Sequence, residues 1–316
     1  MKHLLFIANK AAGKGEAISL LQKARRDIWG HRTSFFVSHS KEHMADYFRS
    51  HPAGQFDAII CIGGDGTVNS LLSHVMHTSA VIIPVASGTA NDLTRALDLD
   101  LDWETILTKL NKKLIRTVDV ITVNEKPFIT VGGLGIGSEL LKEYNNTREG
   151  SSVYRFCSTR FKSEIYKFLA AKSILLGKEL VRGTLLQTAA PDMEDNVKWV
   201  SESSLKLNSR ALFVANQALL AGSMKVVPNA SNGDGYFEWS VLPDLGRKYY
   251  LKTLSQLYDQ IIEPPIFYGK TNRLEIRTRD VHSFFGDGEI LCEGRNFDIK
   301  IADDRVNFLS SHGEGK

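Results

Sequence analysis

Residues 59–69 read Ile-Ile-Cys-Ile-Gly-Gly-Asp-Gly-Thr-Val-Asn, and the last seven are residue types suited to holding phosphate. Gly63, Gly64 and Gly66 let phosphate oxygens approach backbone N–H groups, and Thr67 and Asn69 complete the cradle. Asp65 is the odd member, because a carboxylate repels phosphate unless a cation or a hydroxyl stands between them. Its presence points to metal-assisted phosphate chemistry rather than passive anion binding. The plain alternative is an ordinary strand-to-helix turn.

The surrounding pattern supplies elements to position this loop. The apolar run before Gly63 predicts a buried strand, and the glycines predict a turn with unusual backbone angles. Val68, Leu71, Leu72, Val75 and Met76 then predict a helix opening at the turn. A second such loop, Asn9-Lys10-Ala11-Ala12-Gly13-Lys14-Gly15, lies between an apolar run at 4–8 and a helix bearing Ile18, Leu21 and Ala24. A third follows the apolar run 81–85, with Gly88 and Thr89 in a tight bend and Asn91 or Asp92 suited to cap the next helix. With strands at 33–37 and 57–62 and a helix at 41–49, strands and helices alternate, which predicts a Rossmann-like, doubly wound parallel sheet. Ligands of such sheets bind beyond the carboxyl ends of the strands, where all three loops belong. Two other phosphate signatures fail. Gly269-Lys270-Thr271 has Pro264 where a Walker A motif needs glycine, and no G-x-G-x-x-G string occurs.

After a helix at 103–110 the texture changes. Strands are expected at 114–124, 127–131, 212–215, 236–242, 273–277, 283–285, 298–301 and 306–309, with helices only near 161–176 and 247–261. This predicts a β-rich second domain from residue 122. The helix near 161–176 carries Arg160, Lys162, Lys167, Lys172 and Lys178 around an apolar stripe. It suits either a solvated face packed on a core or an anionic membrane surface.

Bulk composition narrows the classes. The chain has 316 residues, 43% of them hydrophobic and 24% charged, with a net charge of +3. That charge is too mild to imply a nucleic-acid partner. Cys61, Cys157 and Cys292 are odd in number and lack C-x-x-C spacing, which suggests buried thiols in a reducing compartment. The N-terminal apolar run is too short for a signal peptide, and no run approaches about 18 apolar residues, so a soluble cytoplasmic protein is expected.

Taken in order, these strings resemble the diacylglycerol kinase catalytic-domain family of bacterial lipid kinases. The likeness rests on residues 9–15, 63–69 and 84–92, Asp119, Gly133-Leu134-Gly135-Ile136-Gly137, Asn216, residues 228–235 and Asp287-Gly288-Glu289. It implies an α/β nucleotide-binding domain over residues 1–121 with a returning segment from about residue 305, and a β-sandwich-like lipid domain over 122–304. It also implies ATP as phosphoryl donor, Mg2+, and a lipid hydroxyl as acceptor in the interdomain cleft, diacylglycerol being the default. A peripheral location at the inner membrane face and a homodimer are further implications.

The resemblance assigns roles residue by residue. Asn9, Lys10, Ala11, Ala12, Gly13, Ser38 and Thr89 fall where the family contacts nucleotide, together with Gly63, Gly64, Asp65, Gly66, Thr67, Val68 and Asn69. Asp92 and Asp119 are candidates for further negative charge coupled to Asp65 and the metal, a helix cap and an outward strand position being their plain alternatives. Glu289 falls where the family places the proton acceptor for the attacking hydroxyl, and Asp287 is a candidate to orient that hydroxyl or to help bind magnesium. As a bare string, Asp-Gly-Glu also suits a hairpin turn. Asp234, with the carbonyls of Ser231 and Tyr236, resembles a second, structural magnesium site, or a simple Asn/Asp/Gly turn.

The chain departs from the family pattern in three places. Ser70 stands where glutamate usually follows the glycine string, Ala221-Gly222-Ser223 replaces a glycine triplet, and the stretch 187–208 is longer and more polar than a simple hairpin. Two alternatives therefore stay open, an NAD kinase with a similar glycine motif and a nucleotide- or lipid-binding regulator without turnover. The lipid kinases suit residues 88–92 better.

Overall fold

Apolar runs in the first third of the chain are nearly continuous, the pattern of strands covered on both faces. In the computed structural model, which describes residues 2–10, 16–86, 103–150, 180–187, 204–220, 224–260 and 266–311, they form a parallel sheet. The chain divides into two compact units, Met1–Val120 with Asp303–Lys316, and Ile121–Ala302.

The first unit runs β1 (His3–Asn9), α1 (Glu16–Asp27), β2 (Arg32–Ser38), α2 (Lys41–Ser50), β3 (Ala58–Gly63), α3 (Asp65–Val75), β4 (Val81–Ala86), α4 (Trp103–Asn111) and the start of β5 (Ile115–Val123). The order β4-β3-β1-β2 is parallel throughout. On one face, Leu21 and Ala24 of α1 and Trp103, Ile106 and Leu110 of α4 pack with Leu4, Phe6, Ile60, Ile62, Ile83 and Val85. Phe6 meets Trp103 edge-on at 5.9 Å. Ser40 caps α2 by accepting a hydrogen bond from the His43 N–H, which satisfies one first-turn donor.

The second unit continues with β6 (Lys126–Phe128), β7 (Val131–Gly135), α5 (Ile136–Gly150), β8 (Val181–Gln187), β9 (Ser204–Ala215), β10 (Leu219–Leu220), β11 (Met224–Lys225), β12 (Phe237–Pro243), α6 (Arg247–Tyr258), β13 (Phe267–Thr271), β14 (Arg273–Gly286) and β15 (Glu289–Leu309). Asn124 and Glu125, at φ 45° and 68°, make the tight turn between β5 and β6, with Val123 opposite Lys126. Both lie in the left-handed region that two-residue hairpins require. β8 pairs with the first halves of β9 and β14, and β7 with their second halves. The two short strands thus share one lane of the antiparallel order β13-β12-β9-β7-β14-β15. The long strands of this unit pair in one continuous order, and β10 and β11 form a separate two-stranded sheet. Apolar side chains cover both faces, Phe128, Leu185, Trp239 and Phe284 on one and Phe213, Leu257, Tyr268 and Phe285 on the other.

Four of the expected strands are two. Residues 273–277 and 283–285 belong to β14, which keeps pairing through a register shift between Arg277 and His282. Residues 298–301 and 306–309 belong to β15, which runs from the second unit into the first. Its tail pairs parallel to β4, with Asn307 opposite Val81. Polar residues inside both strands break the apolar alternation while the backbone ladder continues. Helix α5 was not anticipated, because its start coincides with the glycine string at 133–137. The expected helix near 161–176 lies outside the described residues.

Candidate functional site

In the first unit the sheet register gathers the predicted residues at its carboxyl edge. Asn9 lies opposite Ser38, Ala8 opposite Ile62, and Gly63 opposite Ala86. The Lys10 N–H donates to the Ser38 carbonyl at 3.0 Å, and Ser38 is buried. Asn9 Nδ2 donates to Thr67 Oγ1 at 3.1 Å, which ties the end of β1 to the first turn of α3. That helix opens at once after β3. Gly64 is its N-cap and offers no side chain to the cap, and the Thr67 and Val68 N–H groups bond back to the Gly64 carbonyl. A helix start capped only by backbone, with its dipole positive end at a strand terminus, suits an anionic ligand.

The glycines act here through space rather than through unusual angles, which corrects the expectation. Gly64 is extended, at φ −103° and ψ −175°, and neither Gly63 nor Gly66 has a positive φ. A Cβ on Gly63 would stand 2.4 Å from Thr67 Oγ1 and 2.7 Å from Thr67 Cβ, so only glycine lets α3 turn back so closely. Val68 is buried in the core and offers a ligand only its backbone. Asp65 sits in the first turn of α3. Burial, and after it the Asp65 charge, push the Cys61 thiol up to about 12, so this cysteine is an inert core residue. Ser70, in place of the usual glutamate, donates to the Gly66 carbonyl at 2.8 Å and so stays within its own helix. Ala11, Ala12, Gly13, Thr89 and Asp92 lie outside the described residues.

Asp119 is placed differently. It is fully buried and lies 2.7 Å from Arg305 Nε. The β15 tail runs beside β5, with Ser310 N–H on the Leu114 carbonyl and Thr117 bonded to Asn307. Because Asn307 is level with Val81 at the start of β4, Asp119 belongs near the amino-terminal end of the strands. Gly63 is level with Ala86 at the other end. Seven levels at about 3.3 Å each separate them by roughly 20 Å along the strands. Asp119 is therefore not gathered with the glycine loop.

In the second unit, Asp287 and Gly288 form the two-residue turn joining β14 to β15, at φ 51° and 79°, with Gly286 opposite Glu289. The Asp287 carboxylate is buried and accepts hydrogen bonds from the Ile129 N–H, the Thr130 N–H at 2.8 Å and Thr130 Oγ1 at 2.6 Å. This corrects the expectation that Asp287 orients a substrate hydroxyl or binds magnesium, because its oxygens are committed to the neighbouring backbone. It acts by fixing the turn from which half-exposed Glu289 projects.

The residues proposed for a structural magnesium site hold a different cation. Asp234 Oδ1 accepts the Tyr236 N–H at 3.1 Å, and Oδ2 accepts the Lys270 ammonium at 2.7 Å. No cluster of three or more His, Cys, Asp or Glu able to hold a metal occurs among the described residues. The donor set does not fit a divalent ion beside that ammonium, since like charges at contact distance repel. Sequence reasoning missed both Lys270 and Arg305. Lys270 left a trace as the failed Walker lysine, whereas Arg305 left none.

Comparison with known proteins places these sites in context. Residues 3–123 match the family described as the diacylglycerol kinase catalytic domain. A Staphylococcus aureus (strain Newman) protein that carries a lipid-kinase name is 30% identical over 270 residues, covering 82% of this chain and 78% of that protein. The diacylglycerol kinase of Bacillus subtilis (strain 168) is 25% identical over 305 residues, covering 92% of this chain and 90% of that enzyme. A crystal structure of a diacylglycerol kinase from Bacillus anthracis str. Sterne superposes with a TM-score of 0.73 at 18% identity, over 98% of this chain and 97% of the other, which is a likeness of fold. Among the described residues no helix is long and apolar enough to cross a membrane.

Proposed function

The chain belongs to the diacylglycerol kinase catalytic-domain family and is a lipid kinase, and from that premise we propose that it moves the γ-phosphoryl group of ATP to the free hydroxyl of diacylglycerol, giving phosphatidic acid. The observation that carries this reading is the start of α3 at the carboxyl edge of the parallel sheet, with Asn9 braced on Thr67 beside it. Phosphoryl transfer asks little covalent chemistry of a protein and much positioning and charge neutralisation. Backbone N–H groups of residues 64–66 would supply a preorganised cradle, and the helix dipole adds favourable potential. Asp65 would hold the magnesium ion that accompanies the phosphates, and that ion supplies charge neutralisation on the transferring group. A hard cation prefers carboxylate oxygen, which fits Asp65 and explains a carboxylate inside a phosphate loop.

Glu289 is the proposed general base. A carboxylate at the start of a strand, behind a turn locked by Asp287, is held on a rigid element, as proton abstraction at hydrogen-bond distance requires. Labelled ATP offered with a panel of lipids in mixed micelles tests the reading. Transfer of label to diacylglycerol is expected. Label appearing on NAD, with none on any lipid, overturns it.

A further inference from the structure

The Gly269-Lys270-Thr271 string plays no part in the proposed phosphate site, and the structure gives each residue another task. A Cβ on Gly269 would stand 2.2 Å from Trp239 Cε2, so glycine is what lets the buried indole lie against β13. Thr271 Oγ1 bonds to both backbone groups of Arg273, the carbonyl at 3.0 Å and the N–H at 3.3 Å. Lys270 stands between two carboxylates. Its ammonium is 2.7 Å from Asp234 Oδ2 and 3.2 Å from Glu238 Oε1, and 5.8 Å from the centre of the Tyr236 ring. Glu238 is its cross-strand partner, β12 against β13.

We infer that Lys270 is a tethered cation doing the work of the structural metal ion, so that the turn carrying Ser231, Asp234 and Tyr236 needs no divalent ion. Three observations support this. The Lys270 side chain is 14% exposed and Glu238 only 2%, so both charges are withdrawn from water and must be balanced locally. Asp234 spends its two oxygens on the Tyr236 N–H and on the ammonium, which closes the turn without further ligands. Glu238 Oε2 is buried and has no hydrogen-bond partner, and burial raises the Glu238 carboxyl to about 7 against the pull of Lys270. One ammonium thus serves one full carboxylate and part of a second. A lysine on the adjacent strand is fixed by the fold itself, so the turn holds whatever the free metal concentration.

This inference is independent of the proposed kinase activity, and its test needs no turnover. Thermal melting without nucleotide is compared in chelator and in millimolar Mg2+ or Ca2+, for the wild type and for Lys270→Met and Lys270→Arg. The wild type and Lys270→Arg are expected to melt at the same temperature with or without divalent ions. Lys270→Met is expected to melt on the order of 5–10 °C lower in chelator and to recover part of that loss in Mg2+ or Ca2+, because two carboxylates then share a site without a cation. Elemental analysis of the dialysed wild-type protein covers the case in which Lys270→Met does not fold. Divalent metal bound in a one-to-one ratio overturns the inference, as does a wild-type melting temperature that falls in chelator. Metal below that ratio, with melting indifferent to chelator, supports it.

Discussion

Asp287 and Glu289 are two residues apart, and the structure gives them different work. Removing the Asp287 carboxylate would leave the Ile129 and Thr130 N–H groups without an acceptor and put alanine at φ 51°. Buried unsatisfied donors cost about 1–3 kcal/mol each, and a left-handed alanine about 1–2 kcal/mol more. Asp287→Ala is therefore expected to lose about 2–5 kcal/mol of stability in a denaturant titration, whereas Glu289→Gln should melt like the wild type. Equal melting of the two variants would assign Asp287 the substrate-facing role that its hydrogen bonds argue against. At the glycine loop, Gly63→Ala pushes a methyl into Thr67. A cost of about 1–3 kcal/mol and a tenfold or greater loss of ATP affinity by calorimetry are expected. Wild-type affinity in that variant would show that the close approach at Thr67 does not shape the phosphate cradle. Sequence alone singled out Gly63 through phosphate access and an unusual backbone angle, whereas the structure shows an ordinary angle and the close approach of Thr67. Steric closeness to a residue four positions on cannot be told from a positive φ without coordinates.

At the scale of elements, the periodic pieces were legible. Strands β1 to β4 and helix α2 follow from runs and spacings within ten residues. The long strands β14 and β15 were not, because polar stretches interrupt their apolar pattern while pairing resumes across the sheet, Arg277 with Asn296 and His282 with Gly294, and Thr278 donates to the Arg295 carbonyl. The Lys270–Glu238 pair belongs to the same class, since it exists only in the β12–β13 register. It carries a pH signature. Burial raises the Glu238 carboxyl from its usual 4.5 to about 7, so the folded state holds this proton more tightly than the unfolded chain does. Its stabilising contribution is complete below the unfolded pKa and is lost as pH rises through about 7. Glu238→Gln, which cannot ionise, should therefore gain on the wild type in melting temperature between about pH 5 and about pH 8. A gap that stays constant or closes over that range would contradict the raised pKa. Asp234 and Lys270 are the charged groups facing Glu238.

At the scale of the molecule, two compact units carry the two halves of the proposed chemistry. The proposed phosphate cradle comprises Asn9, Ser38 and the start of α3 in the first. The candidate base stands on the β14–β15 turn in the second. This division explains how much of the site the sequence revealed. The glycine string reads as phosphate chemistry from local residue types. Glu289 reads only as a turn residue until its place in an ordered series of strings is considered. The acceptor lipid leaves no such local trace.

One paired measurement tests the central claim most directly. Transfer of labelled γ-phosphate to diacylglycerol and equilibrium ATP affinity are determined side by side for the wild type and Glu289→Gln. The wild type is expected to make labelled phosphatidic acid, and the variant to lose at least about a hundredfold in kcat, as for removal of a general base, while its ATP affinity stays within about twofold. Full turnover by Glu289→Gln would contradict the account, and so would a wild-type protein that binds ATP yet labels no lipid.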